Sequence, residues 1–239
     1  MAITLESSQT SSFTSGTSLT ISLPSGVSSG DLILVIAGVE SDSTLTTPSG
    51  YTEAATELVT ASFDGSNLCR MYIFYKIAGG SESNPSTTSN SNTADKRFIT
   101  HRFSGVNSSQ PIDIISSGTD NTKVYPPGSP PTFKIGSGSL EWFHKALFRV
   151  AICNDNGDNG TFDSTQTFTG HTRRSILTGL EVGAISIQKD SVSTGAFSSL
   201  TLATQSIDGG EVDGICFANI GILETSSGTS RNMMMTGVG

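Results

Sequence analysis

Gly30 to Thr60, GDLILVIAGVESDSTLTTPSGYTEAATELVT, is the stretch that decides the fold. It opens on a Gly30-Asp31 turn, in which the Asp31 carboxylate is placed to accept backbone N–H groups. Leu32 to Val39 follows as a short apolar run. Such a run, bounded by glycine and a polar loop, is the pattern of a strand buried in a sandwich core. Pro48-Ser49-Gly50 then turns the chain, proline fixing one φ and glycine permitting a positive one. Tyr51 offers a broad apolar face with a polar tip. Thr52 to Thr60 resumes as a second extended segment.

The same signals recur outward from this stretch. Residues 1–16 read as a weak opening strand, and Ser18 to Pro24 alternates and stops at proline. In Leu68 to Ala78, Cys69, Met71, Ile73 and Tyr75 fall on one face, with Arg70, Tyr72, Phe74 and Lys76 on the other. Gly79 to Asp95 is polar and lacks apolar anchors, which predicts an exposed, mobile loop. Lys96 to Phe103 and Pro111 to Ile115 are extended, and Ser116 to Pro131 reads as loop. Leu140 to Cys153 admits helical spacing in its first half, whereas Phe148, Val150 and Ile152 alternate as in a strand. Ile176 to Lys189, Ser198 to Ile207 and Gly214 to Glu224 complete about ten strands. The expectation is an all-β, antiparallel two-sheet β-sandwich, jelly-roll-like, forming a single domain over 1–239 with a short C-terminal tail, 225–239. Leu32, Ile33, Leu34, Val35, Ile73, Tyr75 and Phe148 are expected in its core.

Composition narrows the function. The chain has 239 residues, 14% charged, with a formal net charge of −8. Nucleic-acid binding requires basic groups to neutralise phosphates, and no basic cluster exceeds pairs such as Lys96-Arg97 and Arg173-Arg174. No apolar run approaches a membrane span. Residues 1–20 lack a basic start and an apolar core, so no secretory signal is expected. Cys69, Cys153 and Cys216 are widely spaced within apolar runs and read as buried free thiols of a protein made in a reducing cytoplasm.

Candidate chemistry is sparse. His101, His144 and His171 show no zinc spacing, and His101 reads as a strand residue with a polar partner across the ladder. No nucleophile elbow is present. The run Asn154-Asp155-Asn156-Gly157-Asp158-Asn159-Gly160 offers Asn154, Asn156 and Asp158 as calcium ligands, against the plainer reading of a tight loop; counted from Asn154 the EF-hand spacing fails, with Asn159 sixth and Thr165 twelfth. Glu141, Asp163, Glu181 and Asp190 are available carboxylates with no pairing that points to glycoside hydrolysis. The single Trp142 and an aromatic content of 7% argue against a deep sugar-stacking cleft but leave room for a shallow glycan-binding surface. No cofactor and no catalytic residue is expected. Met233, Met234 and Met235 form an adaptable apolar cluster in the tail, expected to make an intermolecular contact.

One ordered set of motifs adds to this. Gly30-Asp31-Leu32-Ile33, Pro48-Ser49-Gly50-Tyr51-Thr52, Tyr75-Lys76-Ile77-Ala78, and Phe103-Ser104-Gly105-Val106 through Pro111-Ile112-Asp113 stand in succession. Ser137 to Leu140 and Gly214 to Leu223 extend the series. The succession resembles a family of β-sandwich modules found in bacteriophage virion structural proteins and some bacterial surface proteins, with Tyr51 where that pattern usually carries Trp. The resemblance implies a structural or binding role for Asp31, Gly50, Tyr51 and Tyr75 rather than a catalytic one. It leads to the expectation of a virion subunit, synthesised in the host cytoplasm, that decorates a capsid or attaches to a tail. Its partners would be other virion proteins and copies of itself in a closed homo-oligomer. The alternative is a module that recognises a glycan or receptor on a host surface.

Overall fold

The computed structural model describes residues 2–41, 43–58, 69–122, 132–155, 161–178, 182–205 and 212–224. The strands are β1 (Thr4–Phe13), β2 (Ser18–Thr20), β3 (Leu32–Glu40), β4 (Thr52–Leu58), β5 (Cys69–Ile77), β6 (Ser86–Thr88), β7 (Lys96–Ser104), β8 (Ile112–Asp120) and β9 (Thr132–Ile135). They continue with β10 (Gly138–Leu140), β11 (His144–Asp155), β12 (Thr161–Phe162), β13 (His171–Leu177), β14 (Val182–Lys189), β15 (Gly195–Phe197), β16 (Leu200–Gln205) and β17 (Val212–Leu223). Among the described residues there is no helix.

Two five-stranded antiparallel sheets make the sandwich, in the orders β1-β7-β3-β5-β4 and β13-β14-β11-β17-β8. They stack strand over strand, β7 and β3 on β14, β3 on β11, and β5 on β11 and β17. The first sheet uses the chain up to Ser104 and the second begins at Ile112, so the polypeptide passes between them once, through residues 105–111. A jelly roll passes repeatedly from sheet to sheet; this sandwich is instead two consecutive sheets folded face to face.

The two inner faces form one core. Leu32, Leu34, Ile36, Met71, Ile73, Ile99 and Phe103 from the first sheet meet Phe148, Val150, Ile152, Ala184, Ala218 and Ile220 from the second. Each outer face is covered as well. Ile33, Val35, Ala37, Phe74 and Phe98 pack beneath Leu19, Ile21 and Leu45. On the other side Ala151, Cys153, Ile185 and Ile215 pack beneath Phe133, Ile135, Phe162 and Leu202, from the small sheet β12-β16-β9. Burial on both faces is why β3 is a continuous apolar run rather than an alternating one. Leu32, Ile33, Leu34, Val35, Ile73 and Phe148 are fully buried. Tyr75 points into the inner core as expected but is only partly buried, because it lies near the end of β5.

Four segments differ from their expected form. Residues 79–95 are not simply an exposed loop: β6 pairs with β2, and Thr87, Ser89 and Ala94 are buried against the outer face of the first sheet. Polar side chains anchor this segment, Thr87 donating its hydroxyl to the Thr46 carbonyl at 2.5 Å. Ser116 to Asp120 is not loop but the end of β8, paired with β17. Ile176 to Lys189 is not one strand; it spans the end of β13 and all of β14, which pair antiparallel. The start of Leu140–Cys153 is a turn followed by β11, and its apolar residues divide between the two faces of a covered sheet, a distribution that resembles helical spacing.

Candidate functional site

Phe103, the ladder partner of Leu32, packs edge-on against Phe148 with ring centroids 4.8 Å apart. Gly38, at the other end of β3, lies against Ile152. The start of β3 therefore sits over the start of β11, and the turns before both strands share one end of the molecule.

Asp31, Gly50, Tyr51 and Tyr75 lie at this end. The Asp31 carboxylate accepts the Ser28 N–H at 2.8 Å and the Arg102 Nε–H at 2.7 Å, and is nearly buried. Its backbone carbonyl accepts the Ala78 N–H at 2.8 Å, tying the start of β3 to the end of β5. Gly50 has φ of 78°, and Tyr51 closes the turn by donating its N–H to the Pro48 carbonyl at 3.0 Å. Lys76 Nζ stands 5.8 Å from the centre of the Tyr51 ring and bonds Glu82 at 2.6 Å. The Tyr51 hydroxyl is buried with no hydrogen-bond partner among the described residues, and burial, with the nearby Glu82 charge, pushes its ionisation well above the ordinary tyrosine range. Asp31, Gly50 and Tyr51 brace turns, and Tyr75 packs against the inner core.

The second feature of this end was not legible as a site. Glu141 to His144 forms a turn between β10 and β11, with the His144 N–H donating to the Glu141 carbonyl at 3.1 Å. The Glu141 N–H donates back to His144 Nδ1 at 2.9 Å, and His144 Nε2 lies 3.2 Å from the Asp113 carboxylate on β8. The imidazole lies over Gly221 of β17, where a Cβ would overlap it. Three adjacent strands thus hold the turn. At its tip Trp142 is 74% exposed. Phe143 meets the indole edge-on at 5.7 Å, and Lys145 Nζ donates to the Trp142 carbonyl at 3.0 Å. Glu141 and Lys145, on either side of Trp142 and Phe143 in the chain, are exposed as well. The signal in the sequence was the doublet Trp142-Phe143 ahead of a strand.

Three further buried ionisable groups make hydrogen bonds between layers or strands. His101 bonds Ser8 Oγ, across the ladder as expected, at 2.7 Å and Ser186 Oγ at 2.9 Å. Burial, and then Arg174, lowers its pKa to about 3, so the ring is neutral. Arg97 Nε donates to the Val182 carbonyl at 3.0 Å, joining the two sheets. Arg149 donates to Asn219 Oδ1 at 2.9 Å and to the Gly136 carbonyl at 2.7 Å, and lies over the Phe197 ring at 5.2 Å. Burial lowers its pKa to about 10, which leaves it charged at neutral pH.

Asn156 and Asp158 lie outside the described residues, as do Met233, Met234 and Met235; of Asn154 only the backbone, paired with Val182 and Gly214, is described. Among the described residues no group of three or more His, Cys, Asp and Glu side chains is gathered to hold a metal ion. The chain matches no protein-family model, and no curated protein or solved structure is significantly similar to it.

Proposed function

We propose that this chain is a structural subunit of a bacteriophage particle, on the capsid or the tail, and acts by assembly rather than catalysis. The observation that carries the reading is the use made of the buried polar groups. His101, Arg97 and Arg149 are each held in hydrogen bonds that join one layer or strand to the next. A scaffold of this kind is rigid, and rigidity is what repeated stereospecific contacts require. Assembly contacts would fall on loops and on edge strands, such as the ten-residue β1, which is an edge strand among the described residues and suits strand addition. Closed symmetry among copies follows from the usual economy of homo-oligomers. Mass spectrometry of purified particles with copy-number estimation tests the proposal. Many copies per particle place the chain on the capsid and a few on the tail; particles that lack it overturn the reading.

Recognition of a host-surface glycan is the second reading, and Trp142 favours it. Its indole offers about 200 Å² of apolar surface, far less than the roughly 800 Å² per partner of a stable protein interface but comparable to one face of a sugar ring. The carboxylate of Glu141 and the ammonium of Lys145 would meet hydroxyls around that ring. The turn is already held in place, so little ordering cost remains on binding. Because the chain has one Trp, its fluorescence reports on this position alone. Titration with a panel of gluco-, galacto- and chito-oligosaccharides should give a saturable blue shift with at least one, and Trp142→Ala should abolish that binding in affinity electrophoresis. No saturable shift with any of them overturns the glycan reading. A blue shift that grows with protein concentration alone assigns the ring to self-association.

A further inference from the structure

We propose that Cys69 and Cys216 form an intramolecular disulfide, stapling one sheet to the other, when the folded chain meets a peroxide. The inference goes beyond the proposed function and does not depend on it. Cys69 opens β5 in the first sheet, and Cys216 lies in β17 of the second. Both side chains point into the core between the sheets, fully buried. Their sulfurs stand 3.7 Å apart, with no side chain between them. Closing to a bond of about 2.05 Å asks for a movement of less than 2 Å.

The surroundings suit the bonded state. The Cys216 thiol donates weakly to the Cys69 carbonyl at 3.3 Å, and the Cys69 thiol to the Ile152 carbonyl at 3.9 Å. Thiols are weak donors, and oxidation removes only these two S–H groups. Cys153 supplies an internal control. It is adjacent in sequence to Ile152, which faces the inner core, so strand alternation turns Cys153 to the opposite face, among Ala151, Ile185 and Ile215. A single β-sheet thus lies between Cys153 and the space the other two sulfurs share.

The chemistry balances with hydrogen peroxide as oxidant. One sulfur attacks a peroxide oxygen, the O–O bond breaks, and a sulfenic acid and one water result. The second sulfur attacks the sulfenic sulfur, the S–O bond breaks, and hydroxide leaves with the second thiol proton as water. Two thiols lose two electrons and two protons, and the peroxide becomes two waters. The hydrogen bond with the Cys216 thiol, and then burial, push Cys69 ionisation up, so the neutral thiol dominates and the reaction is slow.

The full chain, purified under reductant and then freed of it, is exposed to hydrogen peroxide, denatured, alkylated and weighed intact. The expected product carries one alkyl group in place of three and has lost two hydrogens, with Cys69 and Cys216 joined on peptide mapping. The bond closes a loop of 147 residues, which should raise Tm by roughly 10 °C over the reduced chain. Cys153→Ser should behave as the parent, with no alkyl group added, while Cys69→Ser and Cys216→Ser should stay uncrosslinked. Three alkyl groups after oxidation, any bond to Cys153, dimers linked through cysteine, or a disulfide form that melts below the reduced one would each overturn the proposal.

Discussion

His101 on β7 and Ser186 on β14 share a hydrogen bond of 2.9 Å across the interior of the sandwich. The imidazole also bonds Ser8 and is flanked by Phe103 and Phe148, with ring centroids 6.1 and 5.3 Å away. A neutral ring satisfies both hydroxyls, whereas a charged one would be stripped of water. Folded and unfolded chains therefore bind protons differently. The unfolded ring titrates near 6.5 and the folded ring near 3. Between those values the unfolded state holds the extra proton, so stability is full above about 6.5 and falls as pH drops through that window. Denaturant unfolding at pH 7 and pH 5 should differ by about 2 kcal/mol from this group. His101→Gln should remove that part of the difference. Equal loss in the parent and the variant would mean that the ring does not titrate on unfolding.

The pair Arg149 and Asn219 makes a less intuitive forecast. The two are ladder partners on β11 and β17, and Asn219 Nδ2 continues the network to Ser116 Oγ at 2.8 Å and the Gly136 carbonyl at 2.9 Å. Asn219→Ala leaves a buried cation short of an acceptor and should cost about 2–4 kcal/mol. Arg149→Met removes the charge and keeps much of the volume, so it should cost less. Urea unfolding of both variants checks the order; the reverse order would show that the cation contributes more by its bonds than its burial costs.

At Gly38 the first sheet comes close to the second. A Cβ there would stand 2.6 Å from Ile152 Cγ2 and 3.1 Å from Val182 Cγ1. Gly38→Ala should destabilise by about 1–3 kcal/mol through overpacking. Combining it with Ile152→Val should recover part of the loss. Unchanged melting in Gly38→Ala would mean that the sheets separate freely.

The sandwich was legible because its inner strands carry their burial in the chain itself: β3 as an apolar run, β5 with Cys69, Met71 and Ile73 facing in. The covering layers were not legible. Thr87, Ser89 and Arg149 look like solvent-facing residues, and they are buried because other segments close over them and satisfy them with backbone groups. Hydrogen bonds between segments far apart in sequence leave no periodicity to read. The Trp142 turn escaped for the same reason, since its rigidity comes from Asp113 and Gly221, each distant from it along the chain.

That rigidity gives the last prediction. His144 keeps its place because Gly221 leaves room for the ring, and the ring in turn caps Glu141 and reaches Asp113. Gly221→Ala should push the imidazole off β17 and release the turn without touching Trp142 itself. Fluorescence anisotropy of the single Trp should fall, while the emission maximum stays that of an exposed indole. Asp113→Asn keeps the shape and an acceptor oxygen for His144, so its effect should be smaller. Oligosaccharide affinity, where the parent shows it, should drop about tenfold in Gly221→Ala, on the order of 1.4 kcal/mol for ordering the tip on binding. If anisotropy and affinity both match the parent, the turn is held by its own backbone bonds and the His144 brace has no part in presenting the ring.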